Sequence, residues 1–217
     1  MTFWKPLRTF YIKTTSLTHG YQGRPKALGR FYKLWAPLYD LSVWLDPAYK
    51  RNLLHMVMLV VRQSDSVLDA GCGTGIGTLA AARIAKEVVA LDPSQAMLNK
   101  LARKLRRENI QNVEIRNGYF PDGVEKGETY QSVITSFMLA HLNPEARRVA
   151  FMSMFDHLKS GGRIGLFEAQ GEIAPTFQTK KEIETNLLEA GFDDISIEDV
   201  SDIYRVATAV KPLSHES

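Results

Sequence analysis

The stretch VLDAGCGTGIGTL, residues 67–79, is the feature that most constrains how this chain can fold. It begins as a short apolar strand and continues into an alanine-rich helix, with Gly71, Gly73, Gly75 and Gly77 between the two. Because glycine has no Cβ atom, a ligand can lie directly against backbone N–H groups where such a helix begins. A glycine-rich connector without a ligand is the alternative, but the spacing of the glycines after Asp69 favours a binding loop.

Strands and helices alternate from Ser66 onward, which indicates a largely parallel sheet. The predicted strands are 66–69, 88–92, 113–117, 132–136, 163–168, 195–200 and 204–210, and the predicted helices are 52–61, 77–84, 94–107, 145–158 and 179–190. We expect a turn at 160–162 and a helix end at Gly191, and the last two strands should pair as an antiparallel hairpin. The predicted fold is α/β: a Rossmann-like seven-stranded, mostly parallel sheet with helices on both faces and a C-terminal antiparallel hairpin.

Composition restricts the class of protein. The 217 residues fit one α/β domain with additions, and Cys72 is the only cysteine. A disulfide framework and a cysteine-based metal cluster are therefore excluded, no metal site is predicted, and a reducing compartment is favoured. The longest apolar run, residues 56–61, is too short to span a bilayer, and the N-terminus lacks the apolar core of a secretory signal. We expect a cytoplasmic protein, with peripheral attachment to the inner membrane surface as a further expectation.

Charge is concentrated at the N-terminus. Residues 1–39 contain no acidic residue and seven basic ones: Lys5, Arg8, Lys13, Arg24, Lys26, Arg30 and Lys33. We divide the chain into a basic arm (1–29), an aromatic helical cap broken at Pro37 (30–62) and a ligand-binding domain (63–213). The arm could rest on an anionic membrane surface or hold an anionic substrate, or be a packing helix with a solvated face. The aromatic residues of the cap could roof a pocket or simply pack, and we expect the basic residues of 98–107 to form a solvated helix face.

The glycine loop does not bind a dinucleotide by the usual fingerprint. The pattern G-x-G-x-x-G fails in both registers, at Ile76 and at Thr78, and no P-loop pattern is present. Asp92 ends the second predicted strand, where a carboxylate can accept hydrogen bonds from both hydroxyls of a ribose. A helix N-cap role fits Ser94 better than Asp92. The loop and Asp92 together indicate a nucleoside-bearing ligand with no pyrophosphate.

These segments resemble a known family. VLDAGCGTG followed by ALDPSQAML is similar to the first two motifs of class I S-adenosylmethionine-dependent methyltransferases, and SFMLAHL, LKSGGRIGLFE and LLEAGF resemble that family's later signatures. The resemblance covers residues 66–210. WAPLYDL also resembles, more weakly, an N-terminal motif of methyltransferases that act on quinones, phospholipids and other small molecules.

The resemblance implies S-adenosylmethionine as cofactor, S-adenosylhomocysteine as product, and a set of site residues. The residues expected to bind the cofactor are Asp69, Gly71, Cys72 (mainly through its backbone), Gly73, Gly75, Asp92, Pro93, Met97, Asn117 and Ser136. Where the family commonly has an acidic residue that contacts the adenine amino group, this chain has Asn117-Gly118-Tyr119. The adenine contact is therefore left open between Asn117 and backbone groups.

The reaction requires little acid–base chemistry, because the sulfonium is already an activated methyl donor. Holding donor and acceptor in line supplies much of the acceleration, and a base is needed only if the acceptor loses a proton. The candidate catalytic residues are His141, Tyr39 and Glu168, with a pocket-edge histidine without a proton role as the alternative for His141.

Two classes of methyl acceptor can be excluded from the sequence. Pyrimidine C5 methylation needs a nucleophilic cysteine outside the glycine loop, and amino methylation of bases uses an N/D-P-P-Y/F motif where this chain has Thr135 to Met138. A small-molecule or lipid-like acceptor is therefore the leading expectation. Two alternatives stay open: an RNA or protein methyltransferase docked by the basic arm, and a catalytically silent methyltransferase-like binding subunit. The oligomeric state is not predicted.

Overall fold

Seven strands form one mixed sheet in the computed structural model, which describes residue 40 and residues 43–173 and 176–214. The strands are β1 (Ser66–Ala70), β2 (Glu87–Asp92), β3 (Val113–Asn117), β4 (Tyr130–Ser136), β5 (Leu158–Ala169), β6 (Asp193–Asp199) and β7 (Tyr204–Val210). Their order across the sheet is β3-β2-β1-β4-β5-β7-β6. The first five pair in parallel, and β7 is antiparallel to both β5 and β6. The predicted fold class and the C-terminal hairpin are confirmed.

Helices cover both faces of the sheet. They are α1 (Pro47–Val60), α2 (Ile76–Ala82), α3 (Gln95–Arg107), α4 (Pro144–Asp156) and α5 (Lys180–Ala190), with a short 3₁₀ helix at Leu139–His141. Apolar side chains of α1, α2 and α3 pack on one face, and those of α4 and α5 pack on the other. This layering leaves the carboxyl ends of the parallel strands as the edge where loops can form a ligand site.

Local sequence signals account for the helix ends. Ser94 caps α3 by accepting the N–H of Met97, as expected. Thr179 begins α5 in a reciprocal capping box with Glu182, and Gly191 ends it in the left-handed conformation at φ 97°. Both helices therefore begin where a side chain satisfies a free backbone N–H, and α5 ends at a glycine whose own N–H closes the last turn.

The turn predicted at residues 160–162 is wrong. These residues continue β5, because Gly161 donates its N–H to the carbonyl of Lys211 (3.0 Å) and Gly162 accepts the N–H of Lys211 (2.8 Å). Gly161 adopts φ +71°, so the glycine bends the strand while the ladder of hydrogen bonds continues.

The arm and residues 30–39, 41 and 42 of the aromatic cap, Tyr39 among them, lie outside the described residues. Within the part of the chain that the structure describes, none of the helices has both the length and the apolar character that crossing a membrane requires.

Candidate active site

The glycine loop between β1 and α2 uses its own amides to hold its shape. The N–H groups of Gly71 and Cys72 both donate to the carbonyl of Leu91, at 2.8 and 3.0 Å. Gly75 donates to the carbonyl of Cys72 at 2.9 Å, and Gly73 donates to Oδ2 of Asp92 at 2.9 Å. The expectation that these N–H groups face a ligand is therefore wrong for these four residues, because each amide already has a partner inside the protein.

Two of the loop glycines are required by the packing and one leaves open space. Gly71, Gly73 and Gly75 all have positive φ values, of 78°, 55° and 86°. A Cβ atom at Gly71 would lie 2.6 Å from Cβ of Met138, and one at Gly75 would collide with the side chain of Leu101. At Gly73 a Cβ atom would meet nothing within 4 Å. The open side of the loop is therefore at Gly73, directly beside Asp92.

Asp92 is fixed at the carboxyl end of β2. Its Oδ1 accepts the N–H of Ser94 at 2.8 Å, and its Oδ2 accepts the N–H of Gly73. Burial raises the pKa of Asp92 to about 6, against the opposing effect of these two hydrogen bonds. A carboxylate has about four acceptor positions. Two positions are left after these contacts, which fits a group that receives the two hydroxyls of a ribose.

Asp69 lies inside the protein beneath the loop. Its side chain is almost fully buried and accepts the hydroxyl of Thr78 at 2.6 Å. Burial raises the pKa of Asp69 to about 7, and the nearby charge of Asp92 raises it further against the Thr78 hydrogen bond. The carboxyl group ties the first turn of α2 to β1, and a direct contact with a ligand stays a prediction.

The other predicted cofactor residues surround Asp92 or support it. Cys72 is buried among apolar side chains with Ala90 and Leu98, and Met97 is also buried. Asn117 is exposed and donates its side-chain N–H to the backbone carbonyl of Asp92 at 3.2 Å. Tyr119 is 42% exposed, and burial and the charge of Asp92 raise its pKa. Asn117 and Tyr119 therefore stand beside Asp92, while Pro93 is partly exposed next to it.

An aromatic cluster occupies the carboxyl ends of β4 and β5. Ser136 ends β4 opposite Phe167, and the next residue, Phe137, turns the chain at φ +59°. The ring of Phe137 contacts four other aromatic rings at centroid distances of 5.3–6.1 Å: Tyr49, Phe167, Phe177 and Tyr204. A non-glycine residue in the left-handed region costs about 1–3 kcal/mol of backbone strain, and the packing of the Phe137 ring offsets this cost.

His141 and Glu168 lie at this edge and both are shifted toward the uncharged form. Burial lowers the pKa of His141, at the end of the 3₁₀ helix, to about 4. Burial raises the pKa of Glu168 to about 8, opposed by the charge of Arg147 and by hydrogen bonds from the N–H groups of Leu139 and Phe137. Glu168 is 1% exposed, and its Oε1 has no hydrogen-bond partner among the described residues. The carboxyl group of Glu168 is therefore buried away from the solvent. Its role as a base stays a prediction.

The sequence alone missed a polar clamp on the loop. Asp40 accepts Nζ of Lys104 and the hydroxyl of Thr74 on Oδ1, both at 2.8 Å, and Nζ of Lys100 on Oδ2 at 3.3 Å. Lys104 also donates to the carbonyl of Thr74 at 3.0 Å. Burial pushes the pKa of Asp40 upward, but the hydrogen bonds from Lys104 and Thr74 hold it below its ordinary value.

This clamp corrects the expectation of a solvated basic face on residues 98–107. Arg103, Arg106 and Arg107 are exposed, but Lys100 and Lys104 hold the loop apex to Asp40. The signal that pointed to it is Asp40 itself, the first acidic residue after a run of seven basic ones.

Comparisons with known proteins agree with this geometry. Residues 67–162 match a family described as a methyltransferase domain. An uncharacterized methyltransferase of Staphylococcus carnosus is 28% identical over 65% of this chain and 67% of its own length. A demethylmenaquinone methyltransferase of Lactobacillus johnsonii is 29% identical over 64% of this chain and 59% of its own length. This chain thus spans about two thirds or less of the length of these relatives.

A solved structure described as a DhpI–SAH complex has the same fold, with a TM-score of 0.74 and 21% identity over 88% of this chain and 98% of that one. The matched residues include the glycine loop, Asp92 and, of the aromatic cluster, Phe137. The matched domain, the methyltransferase relatives and the shared fold together support a class I S-adenosylmethionine-dependent methyltransferase.

Proposed function

We propose that this methyltransferase acts on a small, largely apolar acceptor, quinone-, phospholipid- or metabolite-like, bound at the carboxyl ends of β4 and β5. The observation that carries this proposal is the character of that edge, where five aromatic rings pack together. Glu168, whose carboxyl group accepts the N–H of Phe137, and His141, on the 3₁₀ helix that follows Phe137, favour their uncharged forms at neutral pH. An apolar acceptor loses little hydration on entering such a site, whereas a charged macromolecular surface would lose much.

The cofactor fits the opposite side of the cleft. Asp92 would hold the ribose with its two remaining acceptor positions, and the open space at Gly73 would admit the ligand against the loop. Asn117 and Tyr119 would lie toward the adenine. When bound, the cofactor supplies a methyl group that is already activated as a sulfonium.

The protein then acts mainly by positioning. Bringing two reactants into line contributes up to about 7–11 kcal/mol to lowering the barrier in favourable cases. His141 is a weak base because its pKa is lowered to about 4. We therefore propose that His141 orients the acceptor through its neutral ring, and that an acceptor proton is lost to water after or during methyl transfer.

A methyl-transfer assay tests the acceptor class. The protein is incubated with methyl-labelled S-adenosylmethionine and, in parallel, with a hydroquinone, an ethanolamine phospholipid, a peptide mixture and total RNA. We expect label in the organic-extractable products and none in RNA or peptide. Label found only in RNA or peptide would overturn the proposal, and Asp92→Ala serves as the cofactor-binding control.

For the basic arm we propose contact with an anionic membrane surface that presents a lipid-like acceptor. The support is the five basic residues of the arm, residues 1–29, which contains no acidic residue. Full-length protein should sediment with phosphatidylglycerol vesicles and not with phosphatidylcholine vesicles, and a variant lacking residues 1–29 should lose this binding while retaining S-adenosylhomocysteine affinity. Equal sedimentation of the two proteins would refute it.

A further inference from the structure

A half-open hollow lies between the N-terminal ends of α4 and α5, on the face of the sheet opposite α3. Its volume is about 320 Å³, and Arg147 of α4 and the first two turns of α5 line it. Residues of the glycine loop do not line it. The hollow is therefore separate from the cofactor side of the cleft.

One unpartnered polar side chain lines this hollow, and two more interact with its lining residue Arg147. Five buried side-chain atoms lack a hydrogen-bond partner among the described residues, and three of them belong to Glu168, Thr176 and Gln178. Arg147 links this group, because it donates to the carbonyl of Thr176 at 2.6 Å and its charge acts on Glu168. Buried polar atoms in folded proteins nearly always have partners. The unpartnered atom of Gln178, on the lining itself, indicates that a further polar partner binds here.

Gln178 is the unpartnered side chain that lines the hollow. It is 1% exposed, and its Oε1 accepts Nδ2 of Asn186 at 2.8 Å. That contact assigns the oxygen end of the amide, so the unpartnered atom is the donor Nε2. An incoming partner at Gln178 must therefore be a hydrogen-bond acceptor.

The charges around the hollow favour a negative ligand. Arg147 and Lys181 contribute two cations, and helices of 13 and 11 residues begin at this point. Helix N-termini carry partial positive charge and attract anions. One carboxylate, Glu182, also lines the hollow and accepts the N–H and hydroxyl of Thr179, at 2.7 and 2.8 Å. Its charge offsets one of the two cations, so the lining keeps a single net positive charge. We propose that this hollow binds a small oxyanion, the phosphate or carboxylate group of a small molecule.

The test is thermal unfolding in the presence of inorganic phosphate, with sodium acetate as a second arm and chloride holding the ionic strength constant. All samples also contain saturating S-adenosylhomocysteine, so that binding of the anion at the cofactor site does not contribute to the change in melting temperature. We expect a saturable rise in melting temperature with phosphate, with acetate, or with both, and the pattern identifies the preferred group.

Lys181→Glu, on the exposed surface of α5, should weaken the apparent affinity about tenfold because an attraction becomes a repulsion. Lys126→Glu makes the same charge change at an exposed position that does not line the hollow, and its response should equal that of the wild type. Gln178→Leu should also weaken binding. The proposal is overturned if neither anion gives a saturable shift, or if the Lys181 and Lys126 variants respond alike.

Discussion

Replacing Glu168 by glutamine should change how the stability of the protein depends on pH. The carboxyl group is buried, and its pKa is raised from 4.5 to about 8. The folded protein therefore binds this proton more tightly than the unfolded chain does, and stability is lost as pH rises from about 4.5 to 8. Glutamine resembles the protonated acid in shape and keeps an oxygen that can accept the N–H of Leu139. The Glu168→Gln variant should lack this dependence.

The size of the effect follows from the shift. One pKa unit corresponds to about 1.4 kcal/mol, so the full shift amounts to about 5 kcal/mol as an upper limit. Urea unfolding at pH 5 should give similar free energies of unfolding for the two proteins. At pH 9 the glutamine variant should be more stable by about 2–5 kcal/mol.

Comparing the two proteins removes the contributions of Asp69 and Asp92, which are present in both. Glu184→Gln, at an exposed position of α5, controls for the loss of a negative charge and should follow the wild type. Parallel stability curves for wild type and Glu168→Gln between pH 5 and 9 would show that the buried carboxyl group does not hold its proton, and would refute the reasoning.

Three further predictions concern the cofactor side. Asp92→Ala should weaken S-adenosylhomocysteine binding by at least about tenfold, since hydrogen bonds to a charged group contribute about 1.5–3 kcal/mol each. In the wild type this affinity should also fall below pH 6, because the carboxylate takes up a proton. Calorimetry at several pH values measures both effects, and an affinity that does not change with pH would contradict the second. Gly73→Arg should block binding and lower the melting temperature only through the strain of a side chain at positive φ, about 1–2 kcal/mol, whereas Gly75→Ala should lower it further because its Cβ atom also has no room; the reverse order of melting temperatures would invert the roles given to the two glycines. Lys104→Met should weaken cofactor binding several-fold by releasing the loop apex, while Arg103→Met on the exposed side of the same helix should not, and equal affinities in the two variants would argue against the clamp.

Much of the sheet could be predicted from the sequence because its strands are short apolar runs separated by helical patterns. The strand at Val113–Asn117 and the helix end at Gly191 fall where they were predicted. The error at residues 160–162 has a physical cause. Two adjacent glycines are typical of a turn, but here their backbone groups pair with Lys211, a contact across about fifty residues that local sequence does not reveal.

The clamp at Asp40 could not be predicted for a related reason. The helix pattern places Lys100 and Lys104 on the face predicted to be exposed to solvent. They contact a carboxylate only because Asp40, distant in sequence, lies beside α3. The sequence carries a weak signal for the buried carboxyl group of Glu168. It follows the alternating apolar residues Ile164 and Leu166 on the same side of β5, so its burial was implied by the strand period.

The backbone amides of the glycine loop have a different role from the one that the sequence predicts. The sequence suggested a row of N–H groups presented to a ligand, but four of them close on Leu91, Cys72 and Asp92. The carboxylate of Asp92 therefore has two roles. It holds Gly73 in place by accepting its N–H, and it has acceptor positions left for the hydroxyls of a ribose. A substitution at Asp92 should for this reason disturb both the loop and the ligand, whereas a substitution at Gly73 should disturb mainly the ligand and add only the strain of a side chain at positive φ. The different effects of these two changes on melting temperature and on cofactor affinity make that coupling measurable.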